Sequence, residues 1–247
     1  MTVTTEGIVL STSESGEADL IARVLTETHG VQQLLFRGIR KSRRRSRSAA
    51  EPGMRSVFVF RMTGGGIPTV SECTPVDLHE EIRARYGRII RMHFLLEAVL
   101  KTTGQAQPDS FLYKMLRGAI ESLEKDTGSL SLPLFFVIRL LIHLGVFPAA
   151  PACSRCGASD TALSFYFEDH TLLCGGCALR KGNIRFESHE IAFLSTAARF
   201  RYAQMPPFLL SPAETAAMLE ALVRFMEQSF RITLKSTKLL LSDEETG

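Results

Sequence analysis

GIVLSTSESGEADLIARVLTETHGVQQLLFRG (residues 7–38) is three short runs of β-branched and apolar residues, GIVLST, DLIARVLTE and GVQQLLFRG. Turn formers at Ser15-Gly16 and His29-Gly30 separate them. Two more runs of the same kind follow, RSVFVFRM (55–62) and IPTVSEC (67–73), set apart by Pro52-Gly53 and by the triplet Gly64-Gly65-Gly66. Alternation at a period of two, with such punctuation, is the pattern of half-buried strands. Five short strands in about seventy residues point to a small closed barrel, for which an OB-like barrel is the usual solution. An SH3-like barrel fits the pattern nearly as well. The expected first domain is 1–77.

Between the third and fourth runs lies RGIRKSRRRSR (37–47). Arg37, Arg40, Lys41, Arg43, Arg44, Arg45 and Arg47 have no acidic neighbour before Glu51. Subtracting these seven charges from the net +3 leaves −4 for the rest of the chain, so the basic character is local. A dense basic segment on a near-neutral body is the footprint of a phosphate-backbone binder, driven by counterion release. Six of the seven are arginine, whose planar guanidinium grips phosphate bidentately. An acidic protein or membrane surface would also attract such a run, and like charges in series also occur in merely solvated loops.

At 247 residues the chain can bury one large core or two smaller ones. The longest apolar run, LPLFFVIRLLIHLGVF (132–147), is interrupted by Arg139 and His143 and is too short to span a bilayer. MTVTTEGIVL lacks the cationic and apolar regions of a signal peptide, which makes the cytoplasm the expected compartment.

From residue 77 the apolar period lengthens towards that of a helix. DLHEEIRARYGRIIRMHFLLEAVLKTTG (77–104) sets Ile82, Tyr86, Ile89, Ile90, Phe94, Leu95 and Leu96 near one face, with charges opposite. Residues 109–125 repeat the theme with Phe111, Leu112, Met115, Leu116, Ile120 and Leu123. Residues 132–144 are apolar almost all round and predict a buried central helix, with Arg139 and His143 at its solvent margin or satisfying a buried carboxylate. Ser211-Pro212-Ala213-Glu214 is a capping box with proline at the first turn, and Met218, Leu219, Leu222, Phe225 and Met226 follow as a core stripe. The closing SDEETG reads as frayed. The expected second domain is 78–247.

Cys153-Ser-Arg-Cys156 and Cys174-Gly-Gly-Cys177 form C-x-x-C…C-x-x-C. Two thiolates on each of two tight knuckles complete a tetrahedral shell, the pattern of structural zinc. Iron–sulfur ligation and free or redox thiols are the alternatives. LSFYFEDHTLLC (163–174) reads as a β-hairpin turning near Glu168-Asp169, which makes a zinc ribbon inserted at about 150–180. Four thiolates leave no open position for an activated water, and His189-Glu190 lies downstream of the pairs, unlike the H-x-E of zinc deaminases. His170 could compete as a ligand, but two symmetrical pairs make it unnecessary. Cys73 reads as a strand-packing residue. There is no phosphate loop and no nucleophile elbow, so no catalytic residue is expected.

This order of features resembles the bacterial DNA repair protein RecO family. The stretches that carry the resemblance are GIVL…SGEADLIARVLTETHGV, with Gly16-Glu17 and residues 26–30 in their expected places, and RGIRKSRRRSR, similar to the family's basic segment. IRLLIHLGVFP (138–148) before CSRCG and LKSTKLL (234–240) match the lead-in to the knuckle and the closing signature. Ala50-Glu51-Pro52 departs from the family's Leu-Gln-Pro. The resemblance implies an α+β protein, an OB-like barrel followed by an α-helical domain with an embedded four-cysteine zinc ribbon. It implies a non-catalytic mediator that binds single- and double-stranded DNA, anneals complementary strands and binds the C-terminal tail of single-stranded DNA-binding protein. With RecR, and in some pathways RecF, such a protein helps RecA load. The implied DNA contacts are Arg37, Arg40, Lys41, Arg43, Arg44, Arg45 and Arg47, and the implied metal is structural Zn2+ at Cys153, Cys156, Cys174 and Cys177. Phe36, Phe58 and Phe60 are candidates to stack bases, although strand alternation sends at least some of them into the barrel core. An RNA-binding or ribosome-associated OB module with a zinc ribbon is the alternative reading.

Overall fold

The computed structural model describes residues 1–42, 47–62, 64–104, 107–125, 129–199 and 210–244. Five strands, β1 (Thr2–Ser15), β2 (Asp19–Thr26), β3 (Gly30–Phe36), β4 (Arg55–Arg61) and β5 (Thr69–Asp77), close a barrel in the order β1-β2-β3-β5-β4. All pairings are antiparallel except the β3–β5 closure, where Leu35 faces Thr69. Register shifts between Val9 and Ser11 and between Val59 and Phe60 put bulges where the sheet must curve on itself. The expected OB-like barrel is present, and β1 begins five residues earlier than the GIVLST run suggested.

Alternation decides what fills the barrel. On β4 the inward set is Ser56, Phe58 and Phe60, and β2 and β3 add Leu20, Ala22, Val24, Leu34 and Phe36. Phe36 and Phe58 meet edge to face at 6.2 Å. All three stacking candidates are therefore buried, where alternation places at least some of them: they occupy inward positions of a small barrel that needs their volume. Cys73 packs against the same core as expected, and burial raises its thiol to about 11.

The helical stretch 77–104 is not continuous. It splits into α1 (Glu80–Arg83) and α2 (Tyr86–Thr102), because Arg85 is extended (φ −131°, ψ 118°). The break shifts the phase, so Tyr86 is exposed while Arg88 and Arg91, expected on the charged face, are buried. Arg88 is accommodated by the Glu81 carbonyl, which accepts from its Nη1 at 3.1 Å. α2 lies against the turn that leads into β4. Gly53 there has φ 86°, and a Cβ in its place would sit 2.4 Å from the Met92 sulfur. In α3 (Ser110–Leu123), capped by the Asp109 carboxylate on the Leu112 N–H, Phe111 is exposed and Tyr113 is fully buried.

The chain divides into two compact units, 1–125 and 126–247. The first holds the barrel with α1 to α3. The second is built on α4 (Ser131–His143), whose residues 134–138, 140 and 141 are all buried, as the apolar run predicts. Arg139 stacks on Phe135 and donates to the Ala197 carbonyl at 3.2 Å. A three-stranded sheet follows, β6 (Leu163–Tyr166), β7 (Thr171–Cys174) and β8 (Ile184–Phe186), in the order β7-β6-β8. α5 (Ser188–Arg199), α6 (Pro212–Phe230) and α7 (Ser236–Glu244) complete the unit. The β6–β7 hairpin turns at residues 167–170, as expected. β8 and α5 are additions, although Ile191, Phe193, Leu194 and Ala197 carry a readable helical spacing. α7 carries helix into the SDEETG end as far as Glu244, and 245–247 lie outside the described residues. Among the described residues no helix is long and apolar enough to cross a membrane.

Candidate nucleic-acid interface and metal centre

The connection from β3 to β4 carries the basic segment, and both its ends are pinned. Ile39 enters the barrel core between Arg37 and Arg40, and Ala49 and Ala50 are buried at the other end, in the 3-10 turn Arg47–Ala50. Apolar anchors hold the segment's stems to the barrel. Arg37 is exposed. Arg43, Arg44 and Arg45 lie outside the described residues, as does the side chain of Arg47.

Arg40 and Lys41 do not project freely. The turn joining β1 to β2 presents Glu14, Glu17 and Asp19, and the stem folds back upon it. Gly38 N–H donates to Asp19 Oδ1 at 2.7 Å, and Arg40 N–H to the Ala18 carbonyl at 3.0 Å. Arg40 Nη2 is 2.8 Å from Glu14 Oε1, and Lys41 Nζ is 3.0 Å from Glu17 Oε2. Beside these pairs is a cleft of about 310 Å³ lined by Thr12, Ser13, Glu14, Leu20, Ala50 and Glu51. The exposed Lys41–Glu17 pair contributes little to stability, roughly 0–1 kcal/mol, and the partly covered Arg40 faces solvent through the exposed Glu14, so both cations can exchange their carboxylates for other anions. The sequence held this clue in the acidic spacing Glu14…Glu17…Asp19, but only strand pairing brings it to the basic stem.

A polar group the sequence did not reveal ties α3 to the barrel. Glu6, on β1, accepts a hydrogen bond from the buried Tyr113 hydroxyl and another from Arg55 Nη1 at 3.0 Å. Burial pushes the Glu6 carboxyl up, yet the bonds from Tyr113 and Arg55 outweigh it and hold the group below the ordinary carboxylate value.

In the second unit the four cysteines converge. Their sulfurs lie within 4.8 Å of one another, and Cys156 Sγ is 3.7 Å from Cys174 Sγ. A tetrahedral ion with bonds of about 2.3 Å sets its ligand sulfurs roughly 3.8 Å apart, so the donor set fits. Each knuckle is a hydrogen-bonded turn: Gly157 N–H to the Cys153 carbonyl at 2.8 Å with φ 78° at Gly157, and Cys177 N–H to the Cys174 carbonyl at 3.0 Å. The Ser154 N–H reaches across to the Leu172 carbonyl at 2.8 Å and ties the first knuckle to β7. The backbone N–H of Cys174 leads in lowering the Cys153 thiol to about 6, while hydrogen bonding to the Cys174 and Cys156 thiols raises Cys177 to about 12. Four thiols so close share protons, and only a cation among them lets all four ionise. The quartet can hold a metal ion.

His170 is not part of this group. It sits in the hairpin turn with φ 52° and its ring edge on Phe225 at 5.7 Å. Phe165 and Phe167 meet the same Phe225 ring at 4.9 and 4.7 Å, fastening the ribbon to α6. His189 Nε2 is 2.9 Å from Glu214 Oε1, and Glu190 accepts from the Glu187 N–H at 2.7 Å, so both serve helix ends.

Residues 1–79 match the family described as "Recombination protein O N terminal", and residues 83–238 match "Recombination protein O C terminal". The chain is similar to proteins named DNA repair protein RecO from several bacteria. It is 31% identical over 173 residues to that of Pelobacter propionicus, covering 70% of each chain. It is 27% identical to that of Desulforamulus reducens, over 95% of this chain and 92% of the relative. To that of Bacillus pumilus it is 23% identical, over 97% of this chain and 94% of the relative. With both family segments matched in order along nearly its whole length, the chain belongs to the Recombination protein O (RecO) family.

Proposed function

We propose that this chain is a DNA-binding recombination mediator that works in DNA repair in the cytoplasm, beside the nucleoid, and makes and breaks no covalent bond. It anneals complementary single strands and, with RecR and in some pathways RecF, helps load RecA onto DNA covered by single-stranded DNA-binding protein, whose C-terminal tail it binds. The observation that carries this reading is the arginine-dense segment 37–47, held to a closed barrel at both ends by Ile39, Ala49 and Ala50. Contacts to phosphate are indifferent to sequence. Annealing needs that indifference, since each strand must be gripped with its bases left free to pair. Barrel residues 1–77 supply the grip. Phe36, Phe58 and Phe60 are committed to the core, so affinity rests on charge and not on their stacking.

Arg37, Arg40, Lys41, Arg43, Arg44, Arg45 and Arg47 meet phosphates, and to do so Arg40 and Lys41 release Glu14 and Glu17. The metal at Cys153, Cys156, Cys174 and Cys177 is Zn2+, and its contribution is to cross-link two knuckles; these residues hold it and take no part in DNA contact.

Charge reversal at Arg43, Arg44 and Arg45 is expected to abolish annealing of complementary oligonucleotides while fold and zinc content stay intact. Full annealing by that variant refutes the proposal. Binding of labelled single-stranded DNA across a salt series is expected to fall with a slope of roughly −0.7 per phosphate neutralised. In Glu14→Gln/Glu17→Gln the affinity rises and the slope steepens, since two more cations are released to the strand. A clear preference for structured RNA in competition would replace DNA as the ligand.

A further inference from the structure

Asp77, His79 and Glu124 bring one donor atom each to within 4.8 Å of one another, from the end of β5, the residue before α1 and the residue after α3. The His79 side chain is 3% exposed, and its Nδ1 is 2.8 Å from Glu124 Oε1 and 3.5 Å from Asp77 Oδ1. His79 adopts φ 48°, which turns the residue back towards Asp77, and Asp77 Oδ1 accepts the His79 N–H at 2.9 Å. Arg55 Nη2 lies 3.8 Å from Asp77 Oδ2, at the outer edge of ion-pair range. Two carboxylates thus converge on one buried imidazole nitrogen, in a place that calls for further positive charge.

We propose that Asp77, His79 and Glu124 form a second metal site, for a divalent transition cation such as Zn2+ or Co2+, independent of the cysteine quartet and of the DNA-binding reading. One imidazole with two carboxylates is a borderline-hard donor set that suits these ions. A tetrahedral ion bonded at about 2.0–2.1 Å to nitrogen and oxygen sets its donors roughly 3.3 Å apart, between the two separations observed. Asp77 and Glu124 side chains are 32% and 28% exposed, which leaves the solvent side open for a water as fourth ligand. The occupant that competes is a proton: a hydrogen on Nδ1 is shared with the same two carboxylates, so the ion takes up the Nδ1 lone pair only by displacing it. The three ligands come from three elements of the first unit, so the bound ion would clip α1 and α3 to the barrel. A ligand that binds only the folded form stabilises it in proportion to its occupancy.

The test uses the full chain with its quartet already filled by Zn2+, titrated with CoCl2 under visible spectroscopy and thermal unfolding. One further equivalent of Co2+ should bind, giving ligand-field bands without a thiolate-to-cobalt charge-transfer band and raising the melting temperature. Glu124→Gln keeps the shape and hydrogen bonding of the site and should weaken binding by more than about tenfold, and Asp77→Asn/Glu124→Gln should abolish it. No Co2+ beyond the quartet would leave His79 a plain hydrogen-bonding bridge and overturn the assignment. A thiolate band, or undiminished binding in the folded double variant, would overturn it equally.

Discussion

Glu6 shows how a single side chain can couple two elements that the sequence keeps far apart. Tyr113, 107 residues away, donates to it, and Arg55 from β4 and Arg117 from α3 flank it. Its carboxyl is held below the ordinary value of 4.5 even though burial works the other way. The folded state therefore prefers the ionised group, and the stability this supplies is complete above about pH 4.5 and is lost as pH falls through the lower folded value. Glu6→Gln is expected to lower stability by roughly 1.5–3 kcal/mol at pH 7, the range for hydrogen bonds to a charged group. Urea denaturation at pH 7 and at pH 3 checks this. The gap between wild type and variant should narrow on acidification, and a gap that widened would show that the ionised carboxylate is not what the network selects.

The fit between local signal and outcome differs from element to element. α6 was legible because its start is written in four consecutive residues. Ser211 Oγ accepts from the Glu214 N–H at 3.3 Å, and the Glu214 carboxylate accepts from the Ser211 N–H at 2.8 Å. The Ser211 hydroxyl and N–H, with His189, hold Glu214 down to about 2, so the cap persists until strongly acidic pH. Ser211→Ala is expected to destabilise the protein by about 0.5–2 kcal/mol, read as a lower urea midpoint with an unchanged slope. No loss at all would mean that the α6 start is held by its packing alone. α1 and α2 were less legible. The periodicity of 77–104 is helical throughout, and nothing local announces the extended Arg85 that divides it. A phase change there exposes Tyr86 and buries Arg88 and Arg91, which a wheel drawn through the whole stretch places the other way round.

For the molecule as a whole, the ribbon is the part least able to stand by itself. Its strands have four, four and three residues, too short for an independent sheet. It leans on Phe225 and on whatever ion joins its knuckles. If the proposed zinc joins the knuckles, Cys174→Ser is expected to lose it, to reduce soluble yield and to lower the melting temperature by roughly 5–10 °C, a few kcal/mol in a chain of this size. DNA annealing by the remaining folded fraction should be unchanged, because the cations of the basic segment belong to the other compact unit. A zinc-free variant that is soluble and melts normally would contradict a structural role for the metal.

Strand alternation, helix caps and cysteine spacing are local patterns, repeated within a few residues, and each follows from backbone periodicity or ligand geometry that a short stretch carries whole. That is why the barrel, the buried α4, the capped α6 and the paired knuckles could be read from the amino-acid order alone. The pairing of Lys41 with Glu17, the bond from Tyr113 to Glu6 and the meeting of His79 with Glu124 span 24, 107 and 45 residues. Such contacts depend on which strands pair, in what register and with which helix laid against them. Only the closed fold, by choosing one such arrangement, decided which cations were already engaged and which carboxylates converged on a single histidine.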